Sequence, residues 1–111
     1  MLVDDVVEWF TELPTRDADL VAAAIDLLEE HGPSLGRPLV DHVKASRHNN
    51  MKELRPGSSG RSEIRILFAF DPRRRAVLLI AGDKAGNWTR WYDDHIPIAD
   101  DRYDKWLRTE L

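Results

Sequence analysis

The sequence predicts an α+β fold in which two N-terminal helices and a C-terminal helix pack around a mainly antiparallel sheet of three to four strands. Three observations predict it. Residues 4–32 place apolar side chains at helical spacing, residues 51–82 hold three short runs of strand character broken by turn residues, and from Pro97 a helical stripe returns. At 111 residues the chain is one domain, 1–111, long enough for a single core and too short for two.

In the first helix Asp4 or Asp5 is the expected cap, with Glu8 three residues after Asp5 as in a capping box. Val6, Val7, Phe10 and Leu13 follow the helical period until Pro14 ends it. Thr15 is the expected cap of the second helix. Asp17 and Asp19 lie near its positive end, Leu20, Val21, Ala24, Ile25, Leu27 and Leu28 form a wide apolar stripe, and Gly32 and Pro33 terminate it. The acidic outer side of this pair reads as a solvated face.

Residues 33–50, PSLGRPLVDHVKASRHNN, read as a connecting loop with one apolar contact from Leu39 to Val43. Met51 to Arg55 reads as a short strand and Pro56-Gly57-Ser58-Ser59-Gly60 as a hairpin turn. That turn lacks the Lys-Ser/Thr and following helix of a phosphate-cradling loop. From Ser62 to Asp71 the alternation puts Ile64, Ile66, Phe68 and Phe70 on one face and Glu63, Arg65, Leu67 and Ala69 on the other. With helices against one face of the sheet, Arg65 is expected on the half-open side. Ala76 to Gly82, AVLLIAG, reads as a central strand, and Lys84 sits where it hands over to a loop. Asn87 to Tyr92 reads as an aromatic exit loop in which burial of Trp88 and Trp91 outweighs base stacking. Pro97 is then expected to open a helix carrying Ala99, Tyr103, Trp106 and Leu107 on one side.

The composition, 42% hydrophobic with a mean hydropathy of −0.47, is that of an ordinary soluble globule, with no apolar run long enough to span a bilayer and no charged-then-apolar leader. A cytoplasmic protein without membrane contact is expected. No cysteine is present, and His31, His42, His48 and His95 are too scattered for a metal site, so neither metal nor cofactor is expected. A net charge of −4 argues against a nucleic-acid binder until its distribution is followed. Residues 1–43 carry −8, residues 44–75 carry +6 and residues 76–111 carry −2. Lys44, Arg47, Lys52, Arg55, Arg61, Arg65 and the Arg73-Arg74-Arg75 run thus make the middle third the one basic region, which folded strands can gather into a patch. For the Arg73 run, RNA docking and a solvated turn weigh equally.

The stretch MKELRPGSSGRSEIRILFAFDPRRRAVLLIAGDKAGNWTRWY, residues 51–92, resembles the core of the RelE superfamily of toxin–antitoxin proteins. Its KELR strand, its Ile64-Arg65-Ile66 strand and its Gly82-Asp83-Lys84 loop are most similar to the phage-derived HigB-like branch. The resemblance implies a RelE-like fold and a toxin that cuts messenger RNA on the ribosome, without metal, through attack of a nucleotide's 2′-hydroxyl on the adjacent phosphate. It also implies inhibition by a HigA-like antitoxin with a helix-turn-helix domain. By the same resemblance the catalytic candidates are Arg65, Lys84, Arg55 and Tyr92, with Lys52 and Glu53 as further proton-transfer candidates. Lys52, Arg61, Arg73, Arg90 and Trp91 are candidate RNA contacts. His48 and His95 titrate in a useful range, but a lone surface histidine is more often inert. The alternative is a non-catalytic RNA-binding, ribosome-binding or antitoxin-docking module on the same fold. Relatives carry a strand before the segment equivalent to Asp4–Phe10, whereas here Met1-Leu2-Val3 stands in its place. A stunted or missing first strand is therefore expected, leaving a sheet edge for upstream residues or a partner to cover.

Overall fold

The computed structural model describes residues 3–57 and 60–111, so the centre of the expected 56–60 turn, Ser58 and Ser59, lies outside the described residues, as do Met1 and Leu2. The chain runs α1 (Asp4–Thr11), α2 (Thr15–His31), β1 (Val40–His42), β2 (Lys52–Leu54), β3 (Ile64–Phe70), β4 (Ala76–Asp83) and α3 (Trp88–Thr109). All neighbouring strand pairs are antiparallel, in the order β1-β2-β3-β4. This is the RelE-like α+β arrangement of helices around an antiparallel sheet.

The helix starts differ from the expected caps. Val3 and Pro14 are the N-cap residues, with no side-chain cap on either helix, and Asp4, Asp5 and Thr15 fall inside the first turns. The extended backbone of each capping residue does the work: the Val3 carbonyl takes the Val6 and Val7 amides at 3.0 and 3.2 Å, and the Pro14 carbonyl takes the Ala18 amide at 2.9 Å. The acids still sit at the positive ends, where they are stabilising. Gly32 closes α2 at φ 58°, a conformation that favours glycine.

Two expectations about the connecting segments are corrected. Within the stretch read as a loop, Val40–His42 forms the edge strand β1, prolonged by backbone bonds from Arg55 N to Leu39 O (2.7 Å) and from Val43 N to Met51 O (3.0 Å). Its partners are far along the chain, and three residues are too few to show a period. Second, α3 begins at Trp88 and carries Pro97 inside it, so the exit loop is in fact the first turn of a helix. Tyr92, Ile96, Ala99, Tyr103 and Trp106 form one continuous stripe at helical spacing. Pro97 lies on the exposed side, where its missing N–H and its ring meet solvent rather than core.

Both faces of the sheet are covered, rather than one. Val6, Val21, Ala24 and Leu28 of the N-terminal helices pack on Leu54, Ile64, Ile66, Phe68 and Leu78. On the other side Trp91, Ile96, Ala99, Tyr103 and Trp106 of α3 pack on Met51, Leu67, Ala69, Val77 and Leu79. The β3–β4 register slips between Leu67 (opposite Ile80) and Phe68 (opposite Leu78), so the extra residue Leu79 lets β4 present both Leu79 and Ile80 to the α3 side. Among the described residues no strand precedes α1; the Val3 amide bonds Leu78 O of the edge strand β4 at 3.2 Å.

Candidate active site

The side of β3 that carries Leu67 and Ala69 toward α3 also carries Arg65, at the end of the strand where the helix no longer covers it. Arg65 pairs with Gly82 across β4, and continuing the β2–β3 register one step past Leu54 and Ile66 sets Arg55 beside Arg65. Gly82 is required by close approach: a Cβ there would lie 2.7 Å from Nε1 of Trp91. The indole of Trp91 thus lies against the strand directly across from Arg65, stacked on His95 with ring centres 4.3 Å apart.

Glu53, one step back on β2 and 3% exposed, organises the cations around it. It accepts a hydrogen bond from Nε of Arg55 (2.8 Å) and from the hydroxyl of Tyr92 (2.7 Å). Asp41 on β1 accepts from Nη2 of Arg55 at 3.0 Å, so Arg55 is held between two carboxylates. The backbone amide of His42 and then the side chain of Arg37 hold the Asp41 carboxyl below the usual range. Burial pushes the Tyr92 hydroxyl up, and with the bond to Glu53 and that carboxylate's charge it reaches about 12, although Arg65 pulls the other way. Tyr92 is therefore a protonated donor at neutral pH.

Arg65 and Lys84 have no such carboxylate partners. Neither forms an ion pair within 4.0 Å among the described residues. Arg65 donates Nη1 to Ile64 O at 2.8 Å and its side chain also reaches toward the Tyr92 hydroxyl, while its buried Nε finds no acceptor among the described residues. Lys84 is only 4% exposed, and its ammonium faces the rings of Trp88, 3.5 Å from the centroid, and Tyr92, 5.4 Å away. Burial and then the positive charge of Arg65 lower the Lys84 pKa from 10.5, against opposing pulls from Glu53 and Glu63. Two cations that disfavour each other and have no carboxylate within ion-pair distance among the described residues suit an anion.

A cleft of about 310 Å³ opens beside this group, lined by Glu53, Arg55, Tyr92, Ile96 and residues 42–45. Its outer wall is the segment after β1, which is pinned to α3. The buried carboxylate of Asp100 accepts from the Ser46 hydroxyl and from the Arg47 amide (3.1 Å), Arg47 reaches Asp101 (3.1 Å) and Asp104 (2.5 Å), and His48 Nε2 meets Asp104 at 2.8 Å. Among the described residues, no three or more His, Asp or Glu side chains gather as ligands for a metal, and no helix is long and apolar enough to cross a membrane.

Of the sequence candidates, Arg55, Arg65, Lys84 and Tyr92 come together here. Arg61 precedes β3 and Arg90 lies in the first turn of α3, both exposed at the same end of the molecule; Arg90 faces Asp94 at 3.7 Å. Lys52 alternates with Glu53 onto the opposite side of the sheet, its Nζ 5.6 Å from the Phe70 ring centre. Arg73 sits in the turn at the far end of the β3–β4 hairpin, roughly 20 Å away at ~3.3 Å per strand residue. Trp91 is 3% exposed and so offers no face to RNA, whereas Trp88, expected to be buried, is 55% exposed. Asp41 was not legible in the sequence because β1 was not; a charged residue two before Val43 in a Pro- and Gly-rich stretch gives no signal of its own.

Residues 8–104 match the family described as "Phage derived protein Gp49-like (DUF891)". The chain is 56% identical over 110 residues to a protein of Mycobacterium tuberculosis named "Putative toxin HigB3", covering 99% of this chain and 94% of that protein. It is 58% identical over 105 residues to a second protein of the same organism, named "Putative toxin HigB2". That match covers 95% of this chain but spans only about half, 52%, of the relative's length. No solved structure matches.

Proposed function

This chain belongs to the phage-derived Gp49-like family, and we propose that it is the toxin of a type II toxin–antitoxin pair, an endoribonuclease that cuts messenger RNA on the ribosome. The observation that carries this reading is the pair Arg65 and Lys84, two cations that repel each other and, among the described residues, stand in no ion pair within 4.0 Å, while Glu53 and Glu63 act on Lys84 from farther off. The names of the two relatives support the toxin assignment.

The chemistry suited to these groups is transfer of the phosphate to the neighbouring 2′-hydroxyl. The 2′-oxygen bonds to phosphorus, the bond to the departing 5′-oxygen breaks, one proton leaves the attacking hydroxyl and one is delivered to the leaving oxygen. Arg65 and Lys84 would hold the non-bridging oxygens and offset the charge that grows on them in the transition state; this term is worth most where water is excluded. Arg55, held by Glu53 and Asp41, would fix the strand's path. Tyr92 enters as a proton donor, since its hydroxyl does not ionise until about pH 12, and Glu53 is the acceptor already bonded to it. No metal is used in this scheme. Arg61 and Arg90 would dock flanking phosphates, while Trp91, buried against Gly82, would hold β4 beside Arg65 without touching RNA. Lys52 and Arg73 have no direct part. A cytoplasmic location and a HigA-like helix-turn-helix antitoxin complete the proposal.

The test is induced expression of the wild type beside Arg65→Ala, with mapping of new 5′ ends in cellular messages. Cuts confined to translated stretches, absent in the variant, are expected, together with little cleavage of naked RNA by the purified protein. Efficient, EDTA-sensitive cutting of naked RNA would overturn the mechanism. Growth arrest without cuts, undiminished in Arg65→Ala, would replace it with a non-catalytic docking module.

A further inference from the structure

The most exposed large aromatic side chain among the described residues stands beside the most completely buried cation. Trp88, 55% exposed, is the first residue of α3, and the Lys84 ammonium lies 3.5 Å from the centre of one face of its ring. That contact fixes the ring while leaving its other face open, and an indole already held in place loses little freedom when a planar ligand stacks on it. The helix behind it is 22 residues long and has no side-chain cap. Its first amide bonded to a carbonyl is that of Trp91, to Asn87 O at 2.9 Å, so the amides of Trp88, Thr89 and Arg90 point outward from the positive end of the helix. Lys84 is more than nine-tenths buried and, among the described residues, its ammonium meets the rings of Trp88 and Tyr92 and no carboxylate within 4.0 Å, which supplies a second positive group at one place.

Resting on the RNA-cleaving reading above, we propose that Trp88 is a stacking platform for one unpaired base, whose adjoining phosphate is taken by the open first turn of α3 together with Lys84. An indole face accepts any base, while the uncapped amides and the ammonium accept any phosphate, so the ligand class is single-stranded nucleic acid in an extended, unstacked form. A paired base in a duplex could not present its face to the ring. Trp88 would thereby select strands whose bases are splayed and set the scissile phosphate's distance from Arg65.

The experiment measures binding without cleavage. A short, labelled, all-deoxy single strand, which lacks the attacking 2′-hydroxyl, is titrated at low salt by anisotropy against the wild type, Trp88→Phe and Trp88→Leu. A second strand with the same phosphates but no bases is titrated beside it. Stacking contributes about 1–3 kcal/mol per base, so the wild type should prefer the base-bearing strand by roughly fivefold or more. Trp88→Leu should bind both strands alike, and Trp88→Phe should keep part of the preference; circular dichroism checks that each variant is folded. Equal binding of the two strands by the wild type, an undiminished preference in Trp88→Leu, or no binding of either strand at low salt would each overturn the proposal. Message cleavage in cells would still stand or fall separately, because the binding assay needs no catalysis and the mapping of cuts needs no free-strand affinity.

Discussion

The two faces of the sheet are built from the same strands and do opposite things. Toward α1 and α2, β3 presents Ile64, Ile66 and Phe68, with Leu54 and Leu78 beside them, and the one charged side chain of β2 on that face, Lys52, lies at its margin against the Phe70 ring. Toward α3 the same strand presents Arg65, then Leu67 and Ala69, so that face is core at one end and charged at the other. The side-chain period of two lets a single seven-residue strand serve both purposes without compromise. The difference lies in what covers each face: two helices close the first side, whereas on the second α3 starts at Trp88 and meets the end holding Arg65, Lys84 and Arg55 with the rings of Trp88, Trp91 and Tyr92, beside an open cleft. A side chain on the first face should therefore be felt as stability, and one at the open end of the second as function.

The largest expected effect tests the apolar side. Phe68 is fully buried, and Phe68→Ala should cost about 3–5 kcal/mol of unfolding free energy, read by denaturant titration. Arg65→Ala should lower cleavage by ~100-fold or more, equivalent to about 2.7 kcal/mol, with the melting temperature nearly unchanged. The buried Nε of Arg65 has no acceptor, so removing it abandons no intramolecular bond from that atom and relieves the repulsion felt by Lys84. A large loss of stability in Arg65→Ala with cleavage intact would break the contrast between the faces.

A smaller effect concerns pH. Lys84 is depressed by burial and by Arg65, so its cation disappears as pH rises through a value below 10.5, and cleavage should fall on the alkaline side earlier than a free lysine would allow. In the window between that value and 10.5 the unfolded chain holds more protons than the folded one, so stability rises with pH there as activity falls. Lys84→Arg should remove the alkaline limb, and Arg65→Gln should move it to higher pH while reducing the rate. An alkaline limb unchanged in both variants would detach Lys84 from the reaction.

How much of this was legible follows from range along the chain. The alternation of 62–71 and the apolar run of 76–82 are local patterns, and they put Arg65 on the correct side and Lys84 at the correct strand end. β1 was hidden because its stability comes from pairing with β2 rather than from its own residues, and Asp41 was hidden with it. The start of α3 was misplaced because Pro97 outweighed the spacing of Tyr92, Ile96, Ala99 and Tyr103; a proline on an exposed helix side is tolerated when the opposite side is anchored by Trp91 and Trp106. That error also reversed the fate of Trp88. An aromatic in an exit loop is expected to fold back, whereas one at the first position of a helix can project from it. The basic Arg73-Arg74-Arg75 run was the opposite case, a strong local signal whose location only the hairpin could decide.

That run gives the smallest expected effect and the sharpest control. The turn from β3 to β4 is held by Asp71, whose buried carboxylate accepts the amides of Arg73 and Arg75, Nε of Arg75 and Nε1 of Trp106, each at 2.9 Å. Burial alone would raise the Asp71 pKa, but the Trp106 and Arg75 bonds outweigh it and hold the carboxyl low. Arg73 contributes only its backbone amide to this arrangement, and its side chain is exposed at the end of the hairpin away from Arg65. Arg73→Ala should therefore change stability by no more than about 0.5 kcal/mol and cleavage by less than ~threefold, through weaker docking if at all. Asp71→Ala in the same turn should cost about 1–3 kcal/mol, because it leaves the buried Trp106 donor without its acceptor. Should Arg73 prove essential while Arg65 is dispensable, the active end of the sheet would be the opposite one, and the contrast between the two faces would have to be redrawn around the turn.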